Sequence, residues 1–184
     1  MGKSNMEQDI LKVLMSEEQL QKRVREMGDE LYDRFHDKDP IFVGVLKGCF
    51  IFMADLFREV TIHGSVDFMA VSSYGNGTST TGAVKINKDL SQDIENRDVI
   101  IVEDILDSGI TLSYLTKYLQ NRKPSSICIA TLLDKPARRR ADVQAKYVGF
   151  TVPDAFVVGY GLDYAEKYRN LPFIGVLKPE VYEK

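Results

Sequence analysis

The spacing of apolar positions changes several times along the chain and predicts alternating helices and strands. Ser16 and Gln19 fit a capping box. After them, apolar residues recur at intervals of three and four, which predicts one amphipathic helix: Leu20, Val24, Met27, Leu31 and Phe35. Residues 41–46, IFVGVL, are almost wholly apolar, which is typical of a parallel strand buried on both faces. Residues 50–60 return to the helical spacing.

The rest of the chain continues this alternation. Further apolar runs of strand length follow at residues 66–71, 84–86, 98–102, 127–133, 147–152 and 156–160. Leu112, Leu115 and Leu119 mark a helix that ends before Pro124. Strands that alternate with helices indicate an α/β fold with a mainly parallel central sheet flanked by helices. Residues 74–82, YGNGTSTTG, contain three glycines and four Ser or Thr residues, so we expect a mobile loop there.

The composition indicates a globular protein of one domain. The chain has 184 residues, of which 44% are apolar and 28% are charged. Its formal net charge of −3 argues against a protein that wraps nucleic acid, which normally has a basic balance. No apolar run approaches the roughly 20 residues that span a membrane. Residues 1–9 are polar and lack the apolar core of a signal peptide, so we expect a flexible N-terminus.

The cysteines and histidines do not form a metal-binding pattern. Cys49 and Cys128 lie in separate apolar stretches, which favours buried free thiols in a reducing compartment. His36 and His63 are isolated, so a zinc site is not expected. Together with the polar N-terminus, these features predict a cytoplasmic protein.

Residues 102–111, VEDILDSGIT, have the composition of a phosphate-binding turn after a buried strand. Glu103 and Asp104 place two carboxylates at the carboxyl end of that strand, where ligands bind in open α/β sheets. Asp107 and residues 108–111 then lead into a helix N-terminus, whose free N–H groups favour phosphate. Spacing alone leaves an acidic strand end followed by a helix cap equally open. The segment lacks the glycine–lysine pattern of a Walker A loop, and the chain contains no GxGxxG.

This segment resembles the phosphoribosyl pyrophosphate binding motif of type I phosphoribosyltransferases. It has the same order of apolar residues, two acids, two apolar residues, an acid, and a hydroxyl–glycine–hydroxyl loop. From about residue 10 to residue 182, the chain resembles the hypoxanthine-guanine phosphoribosyltransferases, with matching segments in the expected order. The resemblance implies a type I phosphoribosyltransferase fold in a single domain over residues 1–184, with a small hood region and a flexible lid loop at residues 73–82.

The resemblance also implies a reaction in purine salvage. The 5-phosphoribosyl group would pass from phosphoribosyl pyrophosphate to hypoxanthine or guanine, giving IMP or GMP plus pyrophosphate. Mg2+ is the implied cofactor, with Asp163, Glu103 and Asp104 as its ligands. The implied partners are these small-molecule substrates, without nucleic acid or membrane, and a second copy of the chain in a homodimer or homotetramer.

Each matched position carries an implied role. Asp107 is the general base that takes the proton from purine N7. Lys135 donates to the purine 6-oxo group, Phe156 stacks on the base, and Val157 reads the base edge through its backbone. The remaining positions bind phosphoribosyl pyrophosphate or close over it: Glu103 and Asp104 at the ribose hydroxyls, Asp107, Ser108, Gly109 and Thr111 at the 5′-phosphate loop, Lys47, Gly48 and Arg169 at the pyrophosphate, and Ser73 and Tyr74 in the lid.

Three further features bear on these assignments. Ile110 stands where some members of the family carry a lysine, so phosphate charge must be balanced by other groups or by backbone dipoles. Residues 138–140 are three consecutive arginines, which we interpret as solvated or as a subunit contact. The resemblance also implies a cis peptide bond before Lys47.

Two alternative functions remain open from the sequence. A xanthine-preferring phosphoribosyltransferase shares the 6-oxo group and differs only in the contacts near purine position 2. An RNA-binding regulator on the same fold, as in the pyrimidine attenuation regulators, would place its function on a basic surface. The acidic balance and the purine-type segment at residues 153–164 argue against the regulator, and Lys135 argues against adenine as the base.

Overall fold

The computed structural model describes residues 5–73 and 84–183. Within these ranges the strands are β1 (Ile10–Met15), β2 (Ile41–Leu46), β3 (Ser65–Ser73), β4 (Val84–Lys88), β5 (Asp98–Leu106), β6 (Ser126–Asp134), β7 (Tyr147–Thr151), β8 (Val157–Val158) and β9 (Ile174–Leu177). The α-helices are α1 (Asn5–Gln8), α2 (Glu17–Phe35), α3 (Phe50–Glu59), α4 (Ile110–Gln120) and α5 (Pro179–Tyr182), and Pro136–Arg138 form a single 3-10 turn.

The central sheet has six strands in the order β4-β3-β2-β5-β6-β7. Its neighbouring strands are parallel except for β3 and β4, which are antiparallel. Parallel neighbours need a crossover connection, and α3 and α4 provide it between β2 and β3 and between β5 and β6. The mainly parallel α/β fold predicted from the sequence is confirmed.

The central strands are buried on both faces because helices cover both sides of the sheet. On one side Phe42 of β2 packs in a core with α2 and α3, whereas on the other Ile41, Val43 and Val45 pack with α4. The predicted capping box begins α2: the Ser16 hydroxyl accepts a hydrogen bond from the Gln19 backbone, and the Gln19 side chain accepts one from the Ser16 backbone. The apolar stripe of α2 then faces the first core.

A second sheet, of three antiparallel strands in the order β1-β9-β8, forms the hood. The sequence pattern does not predict β1 or β9, because both are short and they pair with each other from opposite ends of the chain. The strand predicted over residues 156–160 is confined to β8. Gly159 and Tyr160 have φ values of 101° and 50°, so the backbone turns there.

The strongest predicted strand is longer than its apolar run. The sequence predicts that the strand ends in Glu103 and Asp104, but β5 continues to Leu106. Its parallel register with β6 reaches the pair Leu106 and Asp134, so backbone pairing extends the strand past the last apolar run. Glu103 and Asp104 therefore lie within β5, shortly before its end.

The chain ends and the expected lid are only partly described. Of residues 1–9, the structure describes α1 and Asp9, whose carboxylate accepts a hydrogen bond from the Tyr168 hydroxyl at 2.7 Å. Of the expected lid, Ser73 ends β3, and Tyr74 with the positions to residue 82 lies outside the described residues. Among the described helices, none is both long enough and apolar enough to cross a membrane.

Candidate active site

The predicted site residues follow the carboxyl ends of three adjacent strands. Lys47 and Gly48 come directly after β2, Asp107 comes after β5, and Lys135 comes after β6. Because β2, β5 and β6 are parallel neighbours, these ends lie at one edge of the sheet. The fold therefore brings residues from three distant segments of the chain to one place.

Gly48 and Asp104 approach each other so closely that a side chain at residue 48 is excluded. A Cβ atom there would overlap the Asp104 carboxylate. The preceding peptide bond, between Leu46 and Lys47, is cis, as the family resemblance implies. The loop after β2 thus presents its backbone to the carboxylates of β5.

The paired acids of β5 are in an environment that disfavours two negative charges. Burial and the charge of Asp104 raise the pKa of Glu103 well above its ordinary value. Burial also raises the pKa of Asp104, although its own hydrogen bonds and Arg169 lower it. Such a pair is stabilised by a cation or by hydrogen-bond donors brought by a ligand.

The turn after β5 forms one cavity with the acids. Residues 103–109 and Thr111 line it. Gly109 has φ 79°, a left-handed conformation that favours glycine, and it directly precedes α4. The backbone N–H groups of Arg140 and Ala141 both donate to the Ser108 carbonyl, at 2.8 and 3.2 Å. These two hydrogen bonds fix the turn. Its cavity lies beside the N-terminus of α4, and a helix N-terminus favours anion binding.

A second cavity adjoins the first through Asp107. Its lining includes Ile105, Asp107, Lys135, Phe156 and Val157, together with Arg138, Ala155, Leu162 and Asp163. The Oδ1 atom of Asp107 is buried and has no hydrogen-bond partner within residues 5–73 and 84–183. Its Oδ2 atom lies 4.0 Å from Arg138. A buried acceptor of this kind is available to a donor on a ligand.

Lys135 is buried, which is unusual for a lysine. It is 5% exposed, and its Nζ atom donates to the Ala155 carbonyl at 2.9 Å. Burial lowers the pKa of the ammonium group, whereas the nearby Asp107 and Asp154 raise it. A buried lysine that has one protein acceptor keeps further N–H groups for a ligand.

Phe156 lies at the rim of the second cavity and is 39% exposed. Its ring stacks on Tyr182 of α5, with centroids 4.9 Å apart, and meets the edge of Tyr164 at 5.7 Å. Val157 follows it in β8 and pairs with Val176 of β9. The hood thus supplies an aromatic platform whose orientation is set by two other rings.

Arg169 lies on the other side of the site, near the loop after β2. Its Nη1 atom donates to the Gly161 carbonyl at 2.7 Å, and its Nη2 atom lies 3.0 Å from Asp163 and 3.3 Å from Glu166. Glu166 also pairs with Lys47, at 3.0 Å. Lys47 and Arg169 are therefore joined through one carboxylate.

The three predicted metal ligands are not gathered into one cluster. Asp163 pairs with Arg169, whereas Glu103 and Asp104 lie in β5. In the part of the chain that the structure describes, no group of three or more His, Cys, Asp and Glu side chains converges as a metal site. The protein thus offers two separate carboxylate positions.

Sequence reasoning missed three charged residues of the site. The arginine run at residues 138–140 is not simply solvated: Arg138 lies beside Asp107, and Arg139 donates to the Asp107 carbonyl at 3.3 Å and pairs with the Asp134 carboxylate. Glu166 is the third. Proximity to Lys135 in sequence could have pointed to the arginines, but the pairing of Glu166 with Lys47 depends on the fold.

Comparison with known proteins gives a consistent result. Residues 14–165 match the family model of the phosphoribosyl transferase domain. A hypoxanthine-guanine phosphoribosyltransferase of Bacillus subtilis is 60% identical over 97% of this chain and 99% of its own length. One from Staphylococcus epidermidis is 56% identical over 97% of this chain and all of its own.

The solved structures agree with the sequence matches. The crystal structure of a hypoxanthine phosphoribosyltransferase from Staphylococcus aureus superposes with a TM-score of 0.97 at 54% identity, and each chain covers 100% of the other. The predicted type I phosphoribosyltransferase fold is therefore confirmed. By its sequence, its fold and the arrangement of its site, this chain belongs to the hypoxanthine-guanine phosphoribosyltransferase family.

Proposed function

We propose that this chain transfers the 5-phosphoribosyl group of phosphoribosyl pyrophosphate to hypoxanthine or guanine, giving IMP or GMP plus pyrophosphate. Relatives that match nearly its full length at 55–60% identity are named hypoxanthine-guanine phosphoribosyltransferases. The observation that carries the proposal is Asp107 Oδ1. This atom finds no partner among the described residues, and the Asp107 side chain that carries it lines the same cavity as Lys135 and Phe156.

The second cavity takes the purine. Phe156 stacks on the base, and Lys135 donates to its 6-oxo group. Adenine carries a 6-amino donor at the same place, so its amino group would face the Lys135 ammonium without an acceptor. The backbone of Val157 reads the opposite edge of the base, next to β9.

Asp107 accepts the proton that the reaction releases. As purine N9 bonds to the ribose carbon, the bond from that carbon to pyrophosphate breaks and its electron pair leaves with pyrophosphate. The N7 proton then passes to Asp107 Oδ1. A positioned carboxylate also stabilises positive charge on the sugar in the transition state.

The first cavity takes the sugar and its 5′-phosphate. Glu103 and Asp104 accept hydrogen bonds from the ribose hydroxyls, because ionised carboxylates are acceptors only. Ser108, Gly109 and Thr111 enclose the 5′-phosphate at the N-terminus of α4. With Ile110 in the loop, the positive charge nearby comes from Arg139, which lies against it.

Pyrophosphate binds at the loop after β2. Lys47 supplies a point charge and Arg169 a planar set of donors suited to phosphate oxygens. Gly48 lets the backbone of this loop approach the Asp104 carboxylate closely, because a Cβ atom there would overlap it. These groups hold the leaving group while Asp107 acts on the base.

Mg2+ is part of this proposal, and the side chains fit it. Burial and the neighbouring Asp104 charge raise the pKa of Glu103, so a cation bound beside this pair would stabilise its ionised form. Mg2+ prefers oxygen ligands and is usually bound by one or two carboxylates plus substrate phosphates, so two separate carboxylate positions suit it. Asp163 would hold an ion at one position, and Glu103 with Asp104 would hold one at the other. When bound, the ion neutralises charge on pyrophosphate.

The assembly is inferred from the family resemblance, and the location from the cysteines and the polar N-terminus. We propose that the chain acts in the cytoplasm as a homodimer or homotetramer.

Replacing Asp107 by asparagine tests whether its carboxylate accepts the proton from the purine. Asp107→Asn keeps the size of the side chain but removes the base, so we expect kcat to fall by about 10²–10⁴-fold. The dissociation constant of phosphoribosyl pyrophosphate should change little, because the backbone of the turn is kept. Initial rates with hypoxanthine and a calorimetric titration with phosphoribosyl pyrophosphate measure the two quantities.

Asp142→Asn is the matched control, since Asp142 is exposed and follows β6 outside the second cavity. It should keep the parent rate. An Asp107→Asn variant that turns over hypoxanthine at nearly the parent rate would contradict the proposed role of Asp107.

A further inference from the structure

The two cations assigned to pyrophosphate share one carboxylate of the protein. Lys47 Nζ lies 3.0 Å from one Glu166 oxygen, and Arg169 Nη2 lies 3.3 Å from the other. Lys47 follows β2 and Arg169 precedes β9, so Glu166 links two separate segments. A diphosphate that bound Lys47 Nζ and Arg169 Nη2 would meet the carboxylate that already pairs with both atoms.

The backbone of Glu166 is held by a hydrogen bond in a turn, whereas its side chain pairs with the cations in an exposed position. Its N–H group donates to the Asp163 carboxylate at 2.8 Å, and its φ of 63° places it in a tight turn. The side chain of Glu166 is 63% exposed and that of Lys47 is 68% exposed. Water screens such an ion pair, so it forms and breaks readily.

Charge balance makes Glu166 a competitor of phosphate at this position. Lys47 and Arg169 carry two positive charges, and Asp163 and Glu166 carry two negative ones, so the cluster is neutral. Removing the Glu166 charge leaves a net charge of +1 beside the same donors. A bound polyanion would then be held more tightly.

We propose that Glu166 is a positioning residue that competes with pyrophosphate for Lys47 and Arg169 and so promotes release of the product. Its carboxylate leaves both cations when phosphoribosyl pyrophosphate binds and returns to them as pyrophosphate departs. The inference rests on the proposed pyrophosphate site at these two cations. No covalent step is involved.

Glu166→Gln tests the competition, because glutamine keeps the shape and removes the charge. We expect the inhibition constant of pyrophosphate and the KM of phosphoribosyl pyrophosphate to fall together, by about three- to tenfold. The KM of hypoxanthine should stay unchanged, since the purine cavity is not touched. The effect should shrink at high salt, which screens exposed charges. A role in folding alone would not produce this pattern.

Two further variants make the result interpretable. Glu95→Gln removes an exposed carboxylate just before β5, at the opposite end of the sheet, and should leave every constant unchanged. Glu166→Asp keeps the charge on a shorter side chain and should give values between those of the parent and Glu166→Gln.

The assay separates failure of this inference from failure of the proposed site. If the parent forms IMP and Lys47→Ala weakens pyrophosphate inhibition, the site stands. Unchanged or weaker pyrophosphate inhibition in Glu166→Gln would then overturn the competing role of Glu166 alone. If Lys47→Ala leaves inhibition unchanged, the pyrophosphate site itself is wrong.

Discussion

At the scale of the residue, the burial of Lys135 limits which hydrogen-bond partners its charged group can take. The residue is buried, and its ammonium group has the Ala155 carbonyl as an acceptor, with Asp107 and Asp154 nearby. An exposed lysine would distribute its hydrogen bonds to water, whereas this one is held at the wall of the purine cavity. In the proposed purine site, its remaining N–H groups would discriminate between an acceptor and a donor at purine position 6.

Lys135→Ala should raise the KM of hypoxanthine by about 10–100-fold, the range expected when a hydrogen bond to a charged group is lost. The KM of phosphoribosyl pyrophosphate should change much less, because Lys135 does not line the first cavity. Initial rates with each substrate varied in turn measure both constants. Lys117→Ala, at an exposed position of α4, is the control. If neither constant moved in Lys135→Ala, the lysine would have no purine contact.

At the scale of the element, β5 carries the most unfavourable charges of the site. Burial and the Asp104 charge raise the pKa of Glu103 well above its ordinary value of 4.5. The folded protein therefore keeps this proton to a higher pH than the unfolded chain does. As the pH rises above about 4.5, the unfolded chain releases the proton first, so the free energy of unfolding falls.

Glu103→Gln should remove this pH-dependent fall in the free energy of unfolding, because glutamine cannot ionise. We expect the variant without ligands to melt roughly 2–8 °C above the parent at pH 7.5, and near the parent at pH 4.5. Thermal melts at the two pH values measure the difference, and Glu95→Gln controls for the loss of a carboxylate. A Glu103→Gln variant that melts below the parent at pH 7.5 would show that the Glu103 charge is stabilising.

The elements differ in how well the sequence predicts them. The buried central strand β2 and the capped helix α2 are each predicted by the apolar pattern of their own residues. The end of β5 is set by its pairing with β6, which a local apolar pattern does not contain. The hood strands β1 and β9 depend on pairing between distant segments, so their short patterns do not identify them.

The site residues also differ in whether a local sequence pattern identifies them. Glu103, Asp104 and Asp107 lie in one contiguous motif, so the family resemblance assigns them from sequence. Arg139 and Glu166 act through contacts with residues far along the chain, and their positions become apparent only in the folded protein.

At the scale of the whole molecule, the hood is fastened to the central sheet at the site. The Tyr160 hydroxyl bonds to the Asp55 carboxylate of α3, and a Cβ atom on Gly161 would overlap the Gly48 carbonyl. The segment that carries Phe156 is thereby held against the loop after β2. The proposed purine and pyrophosphate contacts thus lie on segments that touch each other, which would present the base and the sugar in a defined orientation.

The most direct test of the account is a spectrophotometric turnover assay of the parent protein with Mg2+ and phosphoribosyl pyrophosphate. Hypoxanthine, guanine, xanthine, adenine and uracil are supplied separately. We predict fast turnover of hypoxanthine and guanine, with little turnover of adenine or uracil. A preference for xanthine would favour the xanthine-specific alternative. Turnover of uracil alone, or of no base, would contradict the account and favour an RNA-binding regulator on the same fold.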